Sequence, residues 1–278
     1  MIPAIEASRN GRLVAIASRD PDRARMLASQ HSFERVAASY DAVLDDREVD
    51  AVYIPLINNL HLEWTLRALA AGKHVLCEKP LAMNAAEAEE MAAAAQRAGL
   101  HLMEAFMYRF HPRTRDFVER LRDPLYVEAR FGFTIGDPNN YRMQPSLGGG
   151  ALLDVGCYTV SLARWILGEP STVLAHSRTN SAVDLTTSAL LQFSGGQTAA
   201  VWASFESAEG QEVTVVTTEA VHRLETPFSS REEPDQYRLM VESFAGSVID
   251  NRPVAIPPRE SVANMKVLDR IREAALSR

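Results

Sequence analysis

Cysteine is nearly absent from this sequence. Only Cys77 and Cys157 occur in 278 residues, so there is no disulfide framework and a reducing, cytoplasmic compartment is the default. Positive charge is scarce as well. The chain has 29 Lys+Arg against 36 Asp+Glu, a formal net charge of -7, and no long basic stripe, which excludes a protein built to neutralise nucleic-acid phosphates. No uninterrupted apolar run approaches the roughly 20 residues of a membrane span. The start, Met1-Ile2-Pro3 with Glu6 soon after, lacks the basic first segment and apolar core of a signal peptide. The seven histidines are scattered and no Cys/His cluster has ligand spacing, so no metal is expected. Neither nucleic acid nor membrane is expected as a partner.

What is present is an ordinary globular composition, 46% hydrophobic and 23% charged. At roughly 150 residues per domain the length predicts two domains. The first hundred residues alternate strand and helix. Apolar runs at Leu13 to Ala17, Val49 to Pro55, Lys73 to Glu78 and His101 to Phe106 read as buried strands. Between them, Asp20-Pro21 opens a helix to about Ser29, His61 to Ala71 forms a second that ends at Gly72, and Asn84 with Glu87 caps an alanine-rich third that ends at Gly99. Strands separated by helices at this spacing predict βαβ units and a parallel, doubly wound α/β sheet.

After about Met107 the texture changes. A helix from Pro112 to Leu121 precedes strand-like segments at Leu125 to Thr134, Ser171 to Thr179, Ser188 to Phe193, Thr198 to Phe205 and Gln211 to Thr217. Ser194-Gly195-Gly196 is a hairpin signal. Gly148-Gly149-Gly150 opens a helix to about Leu167, and helices at Tyr237 to Ile249 and Ser261 to Leu276 finish the chain. The expected division is a dinucleotide-binding domain over 1–107 and an α+β domain with a large, mostly antiparallel sheet over 108–278. The last helix has room to pack back on the first domain.

Four groups can carry chemistry. Glu78-Lys79-Pro80 stands at the carboxyl end of a parallel strand, where doubly wound sheets bind ligands; a surface salt bridge is the plainer alternative. Pro55 to His61 closes the preceding strand, and His61 alone can be a helix-start decoration. In Gly148-Gly149-Gly150-Ala151-Leu152-Leu153-Asp154-Val155-Gly156-Cys157-Tyr158, Asp154 and Tyr158 share a helix face. The three glycines let the backbone pass close to a flat ligand, while a helix-terminal acid and a core tyrosine are the alternative. Ser18-Arg19-Asp20 ends the first strand. In a dinucleotide fold it meets the adenine ribose, where an acid favours NAD and an arginine the 2′-phosphate of NADP; otherwise it is a helix N-terminus.

Together, Val75-Leu76-Cys77-Glu78-Lys79-Pro80-Leu81, Tyr108-Arg109-Phe110-His111-Pro112, the Gly148 to Tyr158 run and Ser261-Val262-Ala263-Asn264-Met265 resemble the glucose-fructose oxidoreductase/inositol dehydrogenase (Gfo/Idh/MocA) family. The resemblance spans the chain. The Asp-x-x-x-Tyr form is similar to the branch with dimeric dihydrodiol dehydrogenase and NADP-dependent xylose dehydrogenase; many other branches have histidine where Tyr158 stands. The resemblance implies hydride transfer between NADP, rather than NAD, and a hydroxyl-bearing carbon of a sugar or vicinal diol. Tyr158 is then the acid/base, Lys79 the cation that brings its phenol pKa toward neutrality, and Asp154 the group that accepts a hydrogen bond from substrate or Lys79 and holds the array in register. It further implies a cofactor site of Ser18, Arg19, Pro55, Asn58, His61, Glu78 and Lys79, places Arg142 near the substrate, and makes a homo-oligomer possible.

The sequence also departs from that family. Its opening strand and Gly-x-Gly-x-x-Gly turn are missing, a piece of about 15 to 20 residues. The absent strand is central, so the strands ending at Ala17 and Pro55 are expected to face each other across a slot, and a truncated start is the expected cause. Pro3, better suited to a first helical turn, points the other way. Only a short acidic loop separates Phe228 from Tyr237, and Ile57 stands where a proline is usual. The rival to an enzyme is a non-catalytic binding or scaffold remnant of the same family.

Overall fold

A computed structural model describes residues 1–180 and 182–276. After a short helix α1 (Ile2–Glu6), β1 (Ala15–Ile16) leads to α2 (Pro21–Gln30). The Asp20 carboxylate caps α2 by accepting from the Asp22 and Arg23 amides, and Pro21 takes the first helical position, where a missing N–H costs nothing. Two elements too short to leave a periodic signal follow, β2 (Arg35–Val36) and α3 (Tyr40–Leu44). Then come β3 (Ala51–Ile54), α4 (His61–Ala70), β4 (His74–Cys77), α5 (Ala85–Ala98) and β5 (Leu102–Glu104). The Asn84 side chain accepts from Glu87 N–H at 3.0 Å. Glu87 answers one residue earlier than an ideal capping box, on the Met83 amide. Gly72 and Gly99 end α4 and α5 at φ 76° and 65°, a left-handed stop that glycine adopts without a Cβ penalty.

The expected parallel sheet is present in two pieces. β1 pairs with β2 alone, and β3, β4 and β5 form a separate three-stranded parallel sheet. Among the described residues no strand lies between β1 and β3, and the expected slot is a cavity of about 1190 Å³. Leu13 to Ser18 line one wall, Val49 to Ile57 the other, and Tyr237, Val241 and Phe244 cover it. The expected strand at Leu13 to Ala17 shrinks to two residues because its other edge has no neighbour to continue the ladder.

Beyond β5, α6 (Pro112–Arg120) leads to β6 (Pro124–Thr134). A wide π-helical turn, Leu152–Gly156, runs into α7 (Cys157–Leu167). β7 (Pro170–Thr179), β8 (Asp184–Phe193), β9 (Thr198–Ser204), β10 (Glu206–Thr217) and β11 (Val221–Glu225) follow, then α8 (Gln236–Ile249) and α9 (Pro258–Leu276). The large sheet has the order β11-β10-β6-β9-β8-β7, with β6 and β9 parallel and the other pairs antiparallel. Alternate residues of β6, such as Val127 and Ala129, are fully buried, while Glu128 and Arg130 between them are exposed. That period of two gives the sheet one covered and one open face.

The α7 stretch carries enough apolar residues over Pro145–Leu167 to pass as a membrane span by length and composition, and 83% of its most apolar window is buried inside the protein. Polar residues interrupt it, which is why the sequence shows no continuous run. α9 returns to α5, with the Asp269 carboxylate accepting from the Ala85 amide at 2.8 Å and Lys266 pairing with Glu89 at 2.7 Å.

Candidate active site

Strand β4 is buried on both faces and delivers Glu78 and Lys79 at its carboxyl end. The Lys79 ammonium donates to the Asp154 carboxylate and to the Asp154 carbonyl, each at 2.8 Å. Arg142 donates its Nε to the other Asp154 oxygen at 2.7 Å. Asp154 itself is 6% exposed. Burial opposes its charge, but Lys79 and Arg142 more than offset that and hold the carboxyl below its usual range. Burial likewise works against the Lys79 charge. Asp154, with Tyr158 and Cys157 behind it, reverses the effect and raises the ammonium well above the ordinary lysine value. Lysine, arginine and aspartate are therefore all charged at neutral pH.

Tyr158 meets Lys79 through its ring. The ammonium lies 5.1 Å from the ring centroid, a cation–π arrangement. The hydroxyl points to Met107 Sδ at 3.6 Å, and the ring packs among Phe106, Tyr108, Phe131 and Phe228 at centroid distances of 5.3–5.8 Å. Burial in that box pushes the phenol well above its usual value, and Lys79 pulls against it. Asp154 and Tyr158, four residues apart, fall on the same side, so the lysine meets both, and a π-helical turn carries Asp154. Such turns recur at functional sites.

The glycine run lets the backbone approach other protein segments closely. Gly148 stands at φ 81°, and a Cβ there would lie 2.6 Å from Asn58 Cβ. A Cβ at Gly149 would strike the Arg142 carbonyl. The close approach at these two glycines is to Asn58 and to the Arg142 backbone, and the Arg142 side chain meets Asp154.

Of the residues expected to contact a cofactor, Ser18, Arg19, Pro55 and Glu78 line the large cavity. Lys79 stands with Asp154 and Arg142 instead. Asn58 and His61 are buried; Asn58 Nδ2 donates to the Gly148 carbonyl, and the two ring nitrogens of His61 lie 2.9 Å from the Pro80 carbonyl and 2.8 Å from the Leu56 carbonyl. Sequence reasoning missed Arg23, which lines the cavity beside Arg19; its place in the first turn of α2, three residues after the cap, was the available signal. It also missed Tyr53, whose hydroxyl donates to Glu78 at 2.5 Å, and the aromatic box around Tyr158, whose members are brought together only by folding.

The two ends of the cavity suit a phosphorylated dinucleotide. Arg19 and Arg23 are exposed and enter none of the ion pairs found among the described residues, leaving two cations at the carboxyl end of β1. Glu78 and Pro55 mark the end nearest Lys79. The middle offers no glycine-rich turn for a pyrophosphate. Gly11 is the one glycine in the lining, and a Cβ there would lie 2.6 Å from Ser8 Oγ, so it is a packing glycine.

Comparison with known families decides the assignment. The model of the oxidoreductase family's NAD-binding Rossmann fold matches residues 1–106, and that of the Gfo/Idh/MocA C-terminal domain matches residues 119–223. The chain belongs to the Gfo/Idh/MocA family. Among curated members, a D-xylose 1-dehydrogenase (NADP(+)) of Haloferax volcanii is 38% identical over 99% of this chain and 93% of its own length. An aldose-aldose oxidoreductase of Caulobacter crescentus, solved with glycerol, superposes with a TM-score of 0.93 at 26% identity, over 99% of this chain and 92% of that one. A 3-ketoreductase of Actinomadura kijaniata, solved with NADP and TDP-benzene, gives 0.84 at 30% identity, over 98% and 92%. As a Gfo/Idh/MocA member the chain carries the family's two folds in the expected order, a Rossmann-like parallel sheet and a larger mixed sheet.

Proposed function

We propose that this Gfo/Idh/MocA member is an NADP-dependent oxidoreductase that interconverts a hydroxyl and a carbonyl on a sugar or vicinal diol. The observation that carries the reading is the charged Lys79, clamped by Asp154 against the face of Tyr158 at the carboxyl end of a parallel strand. NADP, held by Arg19 and Arg23 at its 2′-phosphate and by Pro55 and Glu78 toward its reacting end, would supply or accept the hydride. That the cited xylose dehydrogenase and 3-ketoreductase carry NADP in their descriptions supports the choice over NAD.

Tyr158 exchanges the proton with the substrate oxygen. Its present partner, the Met107 thioether, is a weak acceptor that a substrate hydroxyl replaces at little cost. Burial makes the phenol a poor base, and the adjacent ammonium is the correcting charge. Asp154 orients Lys79, and Arg142 leaves guanidinium N–H groups beside the same carboxylate for substrate hydroxyls. A polyol fits a site with several fixed donors and acceptors.

The rival, a non-catalytic remnant, is favoured by one observation: no glycine-rich turn lines the cavity. The two separate in one experiment. NADPH binding by fluorescence, followed by NADP⁺ reduction with D-xylose, other aldoses and trans-diols, should give binding and turnover with at least one of them. If neither this chain nor one extended upstream by a strand and a glycine-rich turn binds NADPH or NADH, the protein is the remnant.

A further inference from the structure

Lys79 meets Asp154 twice, at the carboxylate and at the main-chain carbonyl, and meets Tyr158 through its ring. Because one of these contacts is to the carbonyl, the backbone of the segment has to be in place, and not only the Asp154 side chain. We propose that Asp184 of β8 and Asn264 of α9 are positioning residues that hold the two ends of this segment in register with Lys79. The proposal rests on the reading of Lys79, Asp154 and Tyr158 as the reacting centre.

Asp184 holds the front. The helical turn that follows Ala151 has no local side-chain cap, although the first amides of a helix have no partner within it. Asp184 supplies an acceptor from 32 residues further along the chain, its Oδ2 accepting from the Leu152 amide at 2.7 Å. Thr187 Oγ1 donates to the same oxygen at 2.9 Å and fixes the carboxylate. The other oxygen lies against Gly150, where a Cβ would strike it. Gly150 is bonded on both sides, its carbonyl to the Asp154 amide at 3.1 Å and its amide to the Arg142 carbonyl at 2.9 Å. The Asp184 carboxylate therefore meets the chain at Gly150 and at Leu152, just ahead of Asp154.

Asn264 holds the back. Its Nδ2 donates to the carbonyl of Cys157, the residue before Tyr158, at 3.1 Å. Asn264 is 2% exposed, and among the described residues its Oδ1 has no partner. A buried unpaired acceptor is a cost, and the bond to Cys157 offsets it. The two anchors come from different elements, and neither lines the cofactor cavity. The π-helical turn with Asp154 lies between their attachments. Loss of either anchor leaves the segment free to shift against Lys79. Misplacement of a reacting group by about 1 Å can cost on the order of 100-fold in rate.

The test removes each anchor with little change of size. With NADP⁺ and the best substrate among the aldoses and diols, Asp184→Leu and Asn264→Leu should each lower kcat at least tenfold while the NADPH Kd moves less than threefold. Asp184→Ala and Asn264→Ala stand in where a leucine variant does not fold. Asp184→Asn, which keeps an acceptor for the Leu152 amide, should recover most of what Asp184→Leu loses. Losses at independent sites multiply, whereas two anchors of one segment fail together, so the double variant should lose less than the product. Unchanged kcat, a tenfold rise in the NADPH Kd with kcat preserved, or a double variant that loses the full product overturns the proposal. If the unaltered protein turns over none of the substrates, the functional reading fails, and amide hydrogen exchange decides the positioning by itself. The variants should then exchange faster selectively over residues 151–158. Exchange unchanged there, or faster evenly along the chain, overturns it.

Discussion

Lys79 keeps its charge inside the protein because the Asp154 carboxylate is within hydrogen-bond distance. Tyr158 has no comparable support, since its hydroxyl meets only a sulfur. Tyr158→Phe should therefore separate chemistry from folding. Turnover should fall by about 10²–10⁴-fold, while the unfolding free energy moves by less than about 1 kcal/mol; a variant that keeps its rate removes Tyr158 from the acid/base role. Glu104 offers a second prediction at this scale. It is buried behind the Lys79 loop, and one oxygen accepts from the Leu81 amide at 2.8 Å. Burial outweighs Ser261, that amide and Arg109, and raises its carboxyl to about 7. The folded state then binds a proton that the unfolded state releases at about 4.5, so stability falls as pH rises from 4.5 to 7 and the cost is complete above 7. The cost is on the order of 3 kcal/mol. Glu104→Gln keeps the acceptor and removes the charge. Denaturant melts should show it more stable than the parent at pH 8 and nearly equal to it at pH 4.5.

The elements were legible where a local rule sets them. Asp20-Pro21 and Asn84 start helices because their side chains satisfy free amides, and Gly72 and Gly99 stop them by turning left-handed. Asn84→Ala should cost about 1 kcal/mol, measurable as a lower urea midpoint with an unchanged slope. β2, α3 and β11 were not legible, because two to five residues cannot establish a period. The glycine run signalled a close approach, and its backbone closes on Asn58 and Arg142. A glycine reports a close approach without naming what approaches, and that partner lies far away in sequence. The π-helical turn was hidden as well, because Leu152–Gly156 carries an ordinary helical pattern.

For the molecule as a whole, the consequence of the open cavity is a first sheet in two unequal parts. β1 and β2 form a ladder of two residues each, while β4 is flanked on both sides by β3 and β5. Amide protons of β1 and β2 should exchange much faster than those of β4, because local opening follows the number of supporting contacts. Comparable protection in the two parts would mean that the cavity does not divide the sheet. NADPH, if it seats against Arg19 and Pro55, should narrow that difference by bridging both walls.

By itself the sequence determined the βαβ alternation, the large second sheet, the family, and the place of Lys79 at the end of a strand, because period, caps and motif spacing are properties of neighbours along the chain. It also foretold the slot between β1 and β3. Only the tertiary structure decided that Lys79 and Arg142 divide the two oxygens of Asp154 between them, that Tyr158 offers Lys79 its ring face rather than its hydroxyl, and that Asn58 meets the Gly148 carbonyl. Each of those outcomes depends on burial and on a contact between distant segments. Burial sets the charge state of a side chain, and no local pattern encodes which distant group will be there to meet it.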